Sequence, residues 1–513
     1  MSQLDARTVE PEDSGLEAKQ PAGRYSEWSV SAALVFLLGI ALRLIYINHE
    51  SVGFDESFSL TRSRLPLGEM MAQLIRDYVQ PPLYYFALRG WFQLVGFGVL
   101  QARLLSAVFS ALAIPALYLL ARYLFDRRTA VLAALLLAVS QLTIMLGQEP
   151  RPYAQFLLLV LLSCYFFLRA LREGRAAFWW AFVGSAIPMI YTSYFGGLAI
   201  AALSAHAAIY RKRYRLPLGW VLKGAGIAAA AYLPWLASGI FRVALRDKKA
   251  FSADFPFWHS IGSMFFSALN FFNNGKTAGL RDPARPWTFL AGGLLFTLPL
   301  AWGCRRVMAA RNGAASQRER EGLVFAGLLW LPPLVLVIGM VAFQFRYEVR
   351  YVAFCAAPYY ILAARGILEL RPRVLRWGLV ALILAYSANA LRTNYSLRWK
   401  QDFRGALTYV DSSLQPGDCG MFLPFGSPVP DQYVITQAGR PSFRVMLPEE
   451  GISQVASCGR VWTISHAIAG DEGPWRIVRA PAGLEMGFAR VAERLYYGVR
   501  VDLYSRKEGS LVP

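Results

Sequence analysis

The sequence is poor in metal-binding residues and poor in acid. Its 513 residues include four His and five Cys, and 33 Asp plus Glu against 53 Lys plus Arg. The cysteines, Cys164, Cys304, Cys355, Cys419 and Cys458, form no CxxC pair, and His49, His206, His259 and His466 are equally scattered. That spacing argues against a zinc site built from His and Cys. No repeat and no low-complexity segment is present. A basic domain with interleaved aromatics is also missing, which argues against nucleic acid as a partner despite a formal net charge of +20. The first 27 residues carry no cleavable signal pattern, so the apolar run starting near Trp28 reads as a retained helix.

What is abundant is apolar length. Hydrophobic residues make up 56% of the chain and charged residues 17%, with a mean hydropathy of +0.36. Soluble domains run nearer about 45–50% apolar. A spanning helix needs roughly 20 apolar residues. About eleven spans are predicted on that criterion: 28–47, 102–123, 129–147, 153–170, 177–194, 196–210, 219–240, 286–303, 322–344, 350–367 and 374–391. The segment 81–96 is left out. It opens on Pro-Pro and carries Arg89 in its middle, so it reads as a helix lying in or dipping into the interface. With 1–27 cytoplasmic, the loops 121–128, 169–175, 210–215, 304–320 and 370–376 fall inside, and all are rich in Lys or Arg. The outside receives 48–101, 148–152, 191–197, 241–285, 343–350 and the tail from 392. The outer stretch 241–251 is basic too and runs against the pattern.

Within the first outer loop, 67–79 has apolar residues at helical spacing and suits an amphipathic interfacial helix. From 392 the hydrophobic runs shorten and alternate, at 420–424, 443–447, 460–465 and 495–505, with a short helix expected at 431–439. Three parts are therefore expected: a disordered cytoplasmic leader (1–27), a membrane domain (28–391) and a small extracytoplasmic α/β domain (392–513). Cys419 and Cys458 both lie in the last. Either they pair in an oxidising compartment or they are two buried thiols.

Charged groups converge on the outer face. Asp55 and Glu56 follow the first span, and Gln80-Pro-Pro-Leu-Tyr-Tyr, with Tyr84 and Tyr85, shares their side. Glu149-Pro-Arg151-Pro-Tyr153 closes another span, the prolines holding the chain extended around Arg151. Arg346, Glu348 and Arg350-Tyr351 precede a late span, and Arg103 opens an earlier one. Arginine forks match phosphate oxygens, and a carboxylate can take the proton of an attacking hydroxyl. A lipid phosphate leaving group needs cationic stabilisation more than protonation. Together these suggest group transfer from a lipid-linked phosphate. Each group also has a plainer role: a solvated helix end for the acids, a loop ion pair for Glu149 and Arg151, snorkelling for Arg346 and Arg350, an aromatic belt for the tyrosines. Arg103 either anchors its helix or meets phosphate.

In this order and sidedness, Asp-Glu, Pro-Pro-Leu-Tyr-Tyr, Glu-Pro-Arg-Pro-Tyr and a late Arg-Tyr, the chain resembles the GT-C membrane glycosyltransferases. The branch is that of protein O-mannosyltransferases and the aminoarabinose transferases of lipid A. The start of the tail, KQDFRGALTYV at 400–410, is similar to bacterial members. The resemblance implies an integral protein of the bacterial inner membrane, with its active site and outer domain extracytoplasmic. It would take a sugar from a polyprenyl-phosphate donor and pass it, with inversion, to a hydroxyl of a lipid, glycan or protein among the membrane lipids. It implies Asp55 as the base, Glu56 beside it and Glu149 in the pocket. Arg151, Arg346, Arg350 and Arg103 would meet the donor phosphate. Gln80, Tyr84, Tyr85, Tyr153 and Tyr351 would line the substrate pocket. Many relatives have His where this chain has Gln80, and Gln does not titrate near neutrality. The second outer loop lacks the Asp-x-Asp of metal-dependent oligosaccharyl relatives, so no cofactor is expected to be required, a divalent ion being the alternative. The competing function is a carrier or flippase for a lipid-linked sugar, which would place charges near the bilayer midplane, often in repeated halves.

Overall fold

The computed structural model describes residues 30–214, 218–245, 257–274, 290–309, 314–340, 347–396, 400–423, 444–446, 458–468, 476–477 and 482–507. The leader 1–27, Arg346, the helix expected at 431–439 and the loop 246–256 lie outside them. Helix α1 (Val30–Leu44) is followed by three helices of the first outer loop, α2 (Phe54–Arg64), α3 (Leu67–Asp77) and α4 (Leu83–Val95). The bundle continues with α5 (Val99–Leu124), α6 (Arg127–Ala138), α7 (Gln141–Gly147), α8 (Tyr153–Glu173), α9 (Ala176–Thr192), α10 (Gly196–Ile209), α11 (Leu218–Leu245) and α12 (Phe257–Phe272). Leu298–Ala309, Ala314–Gly339, Ala356–Leu368 and Arg373–Ser396 complete it.

Six described helices are long and apolar enough to cross a membrane, or seven if α6 and α7, bent by 60° at their break, are one span. Four shorter apolar helices, Val30–Leu44, Ala176–Thr192, Gly196–Ile209 and Ile261–Phe272, join them. The fold is thus polytopic and helical, as expected. α4 is not among the spanning candidates, and its Arg89 donates to the Leu65 carbonyl in the outer loop. α12 departs from expectation. It is a 16-residue apolar helix inside what the sequence presents as an outer loop, too short for the length criterion to detect.

The bend between α6 and α7 has a local cause. Ser140 caps α7 by accepting the Thr143 N–H, and Arg43 of α1 is buried against the break. Its guanidinium donates to Ser110 Oγ at 2.7 Å, the Ala138 carbonyl at 3.2 Å and Thr143 Oγ1 at 3.2 Å. Carbonyls freed by the bend thus find a donor inside the bundle, which a membrane interior requires. α8 packs between α5 and α9 and carries the largest hydrophobic core from one face to the other.

The tail folds as a mixed sheet in the order β2-β1-β3-β6-β5, from Arg444–Met446, Cys419–Leu423, Arg460–Ile468, Val499–Arg506 and Phe488–Tyr496, with β4 (Arg476–Ile477) paired to β3. β1 runs parallel to β2 and β3, whereas β6 is antiparallel to β3 and β5. The helix Phe403–Ser413 covers one face. Its Phe403, Ala406, Leu407 and Val410 meet Phe422, Trp462, Ile464 and Val501, the i, i+3, i+4, i+7 stripe of an amphipathic helix. Cys419 and Cys458 are disulfide-bonded, with Cα atoms 6.0 Å apart.

Candidate active site

The site starts at α2. Gly53 is its N-cap, and the Glu56 carboxylate folds back to accept the Gly53 N–H at 2.7 Å. Successive helical residues point about 100° apart, so the two acids separate. Glu56 turns inward and is 2% exposed, whereas the Asp55 side chain is 31% exposed.

Glu56 is held by two cations. Arg103 Nη2 reaches its carboxylate at 3.2 and 3.4 Å, and Lys400 Nζ reaches it at 3.1 Å. Burial alone would push the Glu56 carboxyl up. Lys400, Arg103 and the Gly53 N–H outweigh it and hold the group below the usual carboxylate range. Arg103 also donates to the carbonyls of Ile47, Glu50 and Ser51, at 3.2, 2.9 and 3.0 Å. Its fork is spent on the loop after α1, and it serves as a buried strut rather than as an arginine open to phosphate. Glu56 likewise is a structural acid here, with no open side for a substrate.

Lys400 also bridges to Glu149 at 3.2 Å. Burial pulls its ammonium down, but Glu149 and Glu56 outweigh that and raise it. Lys400 is the principal residue that the sequence reading left without a role. A signal was available: a lysine just beyond the last span, on the side the sequence reading expects to be outside, where positive charge is disfavoured. It arrives with its neighbours. Lys400 N–H donates to Glu50 Oε2 at 3.2 Å, the Arg404 N–H to Ser51 Oγ at 3.1 Å, and Arg404 Nη1 to the Asn48 carbonyl at 2.8 Å. The first residues of the outer domain are therefore laced to the first outer loop.

Asp55 meets a different arginine, Arg350, whose Nη1 lies 2.6 Å from Asp55 Oδ2. Arg350 also pairs with Glu348. It sits in the 3₁₀ turn Val349–Cys355 that leads into the helix Ala356–Leu368. Arg151 donates to the Asp55 carbonyl at 3.1 Å and to Ser59 Oγ at 3.4 Å, fixing the backbone that carries the acid. Its surroundings correct one expectation. The Pro-Arg-Pro segment is turned, not extended: the Arg151 N–H donates to the Glu149 carbonyl at 2.7 Å, and Pro152 is helical as the N-cap of α8. The fixed φ of proline suits a helix start as well as an extended chain.

Tyr153 lies between the two arginines, 5.9 Å from Arg151 and 5.7 Å from Arg350 by ring centroid. Tyr351 packs beside it at 6.3 Å. Gln80 joins the cluster, donating to Tyr153 Oη at 3.5 Å and accepting from Tyr85 Oη at 3.4 Å. Tyr84 does not join. It is fully buried and hydrogen-bonds Ser106 at 2.9 Å. Beside Arg350 a groove of about 360 Å³ runs along apolar side chains, Leu142, Met145, Leu146, Phe271 and Val349, with Glu149, Glu348 and Arg350 at its polar edge.

Lys400 lies between Glu56 and Glu149, and Arg350 is on Asp55. No group of three His, Cys, Asp or Glu comes together among the described residues.

The comparisons with known proteins agree with this architecture. Residues 79–237 match the family model described as dolichyl-phosphate-mannose-protein mannosyltransferase. That segment contains Gln80, Tyr84, Tyr85, Arg103, Glu149, Arg151 and Tyr153, whereas Asp55, Arg350 and Lys400 lie outside it. The structure is similar to ArnT from Cupriavidus metallidurans in the apo state, at 12% identity and a TM-score of 0.59, covering 92% of this chain and 97% of that one. It is similar to the same protein bound to undecaprenyl phosphate, at 13% identity and a TM-score of 0.54 with the same coverage. The chain has the GT-C fold. An oligosaccharyltransferase of Archaeoglobus fulgidus in the apo form also shares this GT-C architecture, at 12% identity and a TM-score of 0.50, over 82% of this chain and 64% of that one. No curated protein matches the sequence significantly.

Proposed function

We propose that this GT-C protein is an inverting glycosyltransferase, taking a hexose or pentose from a polyprenyl-phosphate donor to an acceptor hydroxyl at the outer membrane–water interface. The observation that carries this is the Asp55–Arg350 pair, 2.6 Å apart, whose Arg350 stands at the polar edge of the apolar groove of about 360 Å³. A polyprenyl chain fits the apolar wall, its phosphate lies at Arg350, and a partly exposed carboxylate stands beside it. The family match over 79–237 and the fold shared with a protein solved with undecaprenyl phosphate support the same donor class.

The step is a displacement at the anomeric carbon. The acceptor oxygen forms the new C–O bond as the bond from that carbon to the phosphate oxygen breaks, and attack from the opposite face inverts the centre. The acceptor proton passes to Asp55 as general base. Polyprenyl phosphate leaves with the bonding electrons, and Arg350 stabilises the charge gathering on its oxygens. Arg151 positions Asp55 through its backbone, Tyr153 packs beside Arg151 and Arg350 with Tyr351 against it, and Glu149, paired with Lys400, lines the groove edge. On this reading the site and the tail domain face the extracytoplasmic side of a bacterial inner membrane, a sidedness that the positive-inside pattern supports. The lacing of 400–404 to residues 48–51 supports a role for that domain in acceptor approach.

The test is release of free polyprenyl phosphate from a set of synthetic polyprenyl-phosphate sugars, by wild type and Asp55→Asn. The expected loss of turnover is roughly 10²–10⁴-fold, with donor affinity kept. A carrier would bind the same donors and release none from either protein. Equal release from both would remove Asp55 as the base.

A further inference from the structure

A second charged chamber lies at the opposite end of the bundle from the acids. α8 has 21 residues, about 30 Å at 1.5 Å per residue. Tyr153 at one end faces Asp55, and Arg169 and Arg172 at the other face a cavity of about 1130 Å³. The ends of α5 and α8, the chain after α10 and the start of Ala314–Gly339 border it, and it is open on one side. Six arginines line it, Arg122, Arg127, Arg169, Arg172, Arg213 and Arg318, against two acids, Asp126 and Glu173.

The two lining acids are themselves engaged. Glu173 is taken by the fork of Arg169 at 2.6 and 3.0 Å. Asp126 caps α6 through the N–H groups of Arg128 and Thr129 and pairs at 3.3 Å with Arg365, which is not part of the lining. Glu321, buried behind the wall, holds Arg172 at 3.0 Å and Arg213 at 3.5 Å. The Tyr123 carbonyl takes Arg172 at 2.9 Å and Arg318 at 3.0 Å. Several guanidinium groups are therefore pinned in place with positive charge in excess. The Tyr214 hydroxyl, buried in the same lining, has no hydrogen-bond partner among the described residues. Loop arginines scattered for topology alone need no shared open cavity, no pinned forks and no buried donor.

We propose that this chamber binds a phosphate ester, held by Arg122, Arg127 and Arg213 with Tyr214 as a neutral donor. Planar guanidinium forks match phosphate oxygens, and basic pockets between membrane helices on the cytoplasmic side suit anionic headgroups. The chemistry is shared by an anionic phospholipid headgroup and a soluble diphosphate. The site is separate from the Asp55 groove and does not depend on the transfer reaction.

The test uses the purified full chain in neutral micelles with three probes: short-chain phosphatidylglycerol, short-chain phosphatidylcholine and inorganic pyrophosphate. Binding is read by native mass spectrometry and by the shift in unfolding midpoint. The variants are the double changes Arg122→Gln/Arg127→Gln and Arg122→Lys/Arg127→Lys. Saturable phosphatidylglycerol binding, roughly tenfold tighter than phosphatidylcholine and lowered roughly tenfold by the Gln pair, supports a lipid headgroup. Pyrophosphate binding lowered by the same variants supports a soluble phosphate ester. The proposal is overturned if both lipids bind alike and pyrophosphate does not bind, or if the Gln pair binds every probe as wild type does. Should the Gln pair fail to fold, the three probes on wild type and the Lys pair decide.

Discussion

Replacing Lys400 by methionine removes one charge from between two carboxylates and changes little in volume. The ammonium sits 3.1 Å from Glu56 and 3.2 Å from Glu149. At an effective dielectric of about 20, each contact is worth about 5 kcal/mol of Coulomb attraction. Desolvating the ammonium cancels several kcal/mol of that, and breaking a buried pair from one side costs about 3–5 kcal/mol. The lower end applies, because the Lys400 side chain is 20% exposed and partly screened. Lys400→Met is therefore expected to destabilise the protein by about 3 kcal/mol. It leaves Glu149 unpaired opposite a Glu56 that keeps only Arg103. Turnover of a polyprenyl-phosphate sugar should fall as well, because Glu149 and the loop carrying Glu56 lose their shared anchor. Thermal unfolding in micelles and release of polyprenyl phosphate measure the two effects. Lys400→Arg should recover most of both, and adding Glu149→Gln to Lys400→Met should recover part, since the orphan acid is then gone. A Lys400→Met protein within about 0.5 kcal/mol of wild-type stability and within twofold of its turnover would refute the reasoning.

Other outcomes follow from the same structure. Arg103→Met should cost about 3–5 kcal/mol in thermal or denaturant unfolding, and Arg103→Lys should recover little, because one ammonium cannot replace a fork that serves three carbonyls and Glu56. In the outer domain, burial would push the Asp418 carboxyl up, but Arg460, Trp462 Nε1–H and the Gln415 N–H outweigh it and hold it below the usual range. A carboxyl depressed in the folded state stabilises above its unfolded value, near pH 4, and that stability is lost as pH falls further through the folded value. Asp418→Asn should flatten this acid limb in a pH titration of tryptophan fluorescence. Opening the Cys419–Cys458 link, which closes a separation of 39 residues, should lower outer-domain stability by about 4 kcal/mol on the chain-entropy model. Thermal unfolding of the Cys419→Ala/Cys458→Ala variant against wild type measures it.

The apolar periodicity and the basic loops were enough to determine a polytopic helical bundle, because apolar length and charge asymmetry act locally and leave their mark on the linear chain. They placed Asp55, Glu149, Arg151 and Arg350 on one face, kept α4 out of the spans, and marked an alternating outer domain where the sheet is found. The helix α12 escaped because its 16 apolar residues fall below the length that composition alone can read.

Which neighbours pair was decided only in three dimensions. Asp55 and Glu56 are adjacent and chemically similar, yet the helical rotation between them sends one to Arg350 at a partly open edge and the other inward to Arg103 and Lys400. Arg103, Arg151 and Arg350 look alike in sequence. One became a strut, one fixes a backbone carbonyl, and one pairs with Asp55 and Glu348 at the edge of a groove. Lys400 joins acids more than 250 and 340 residues earlier in the chain, a contact that no local pattern encodes. Burial and the direction of a side chain belong to tertiary packing, and they separated the structural charges from those left for chemistry.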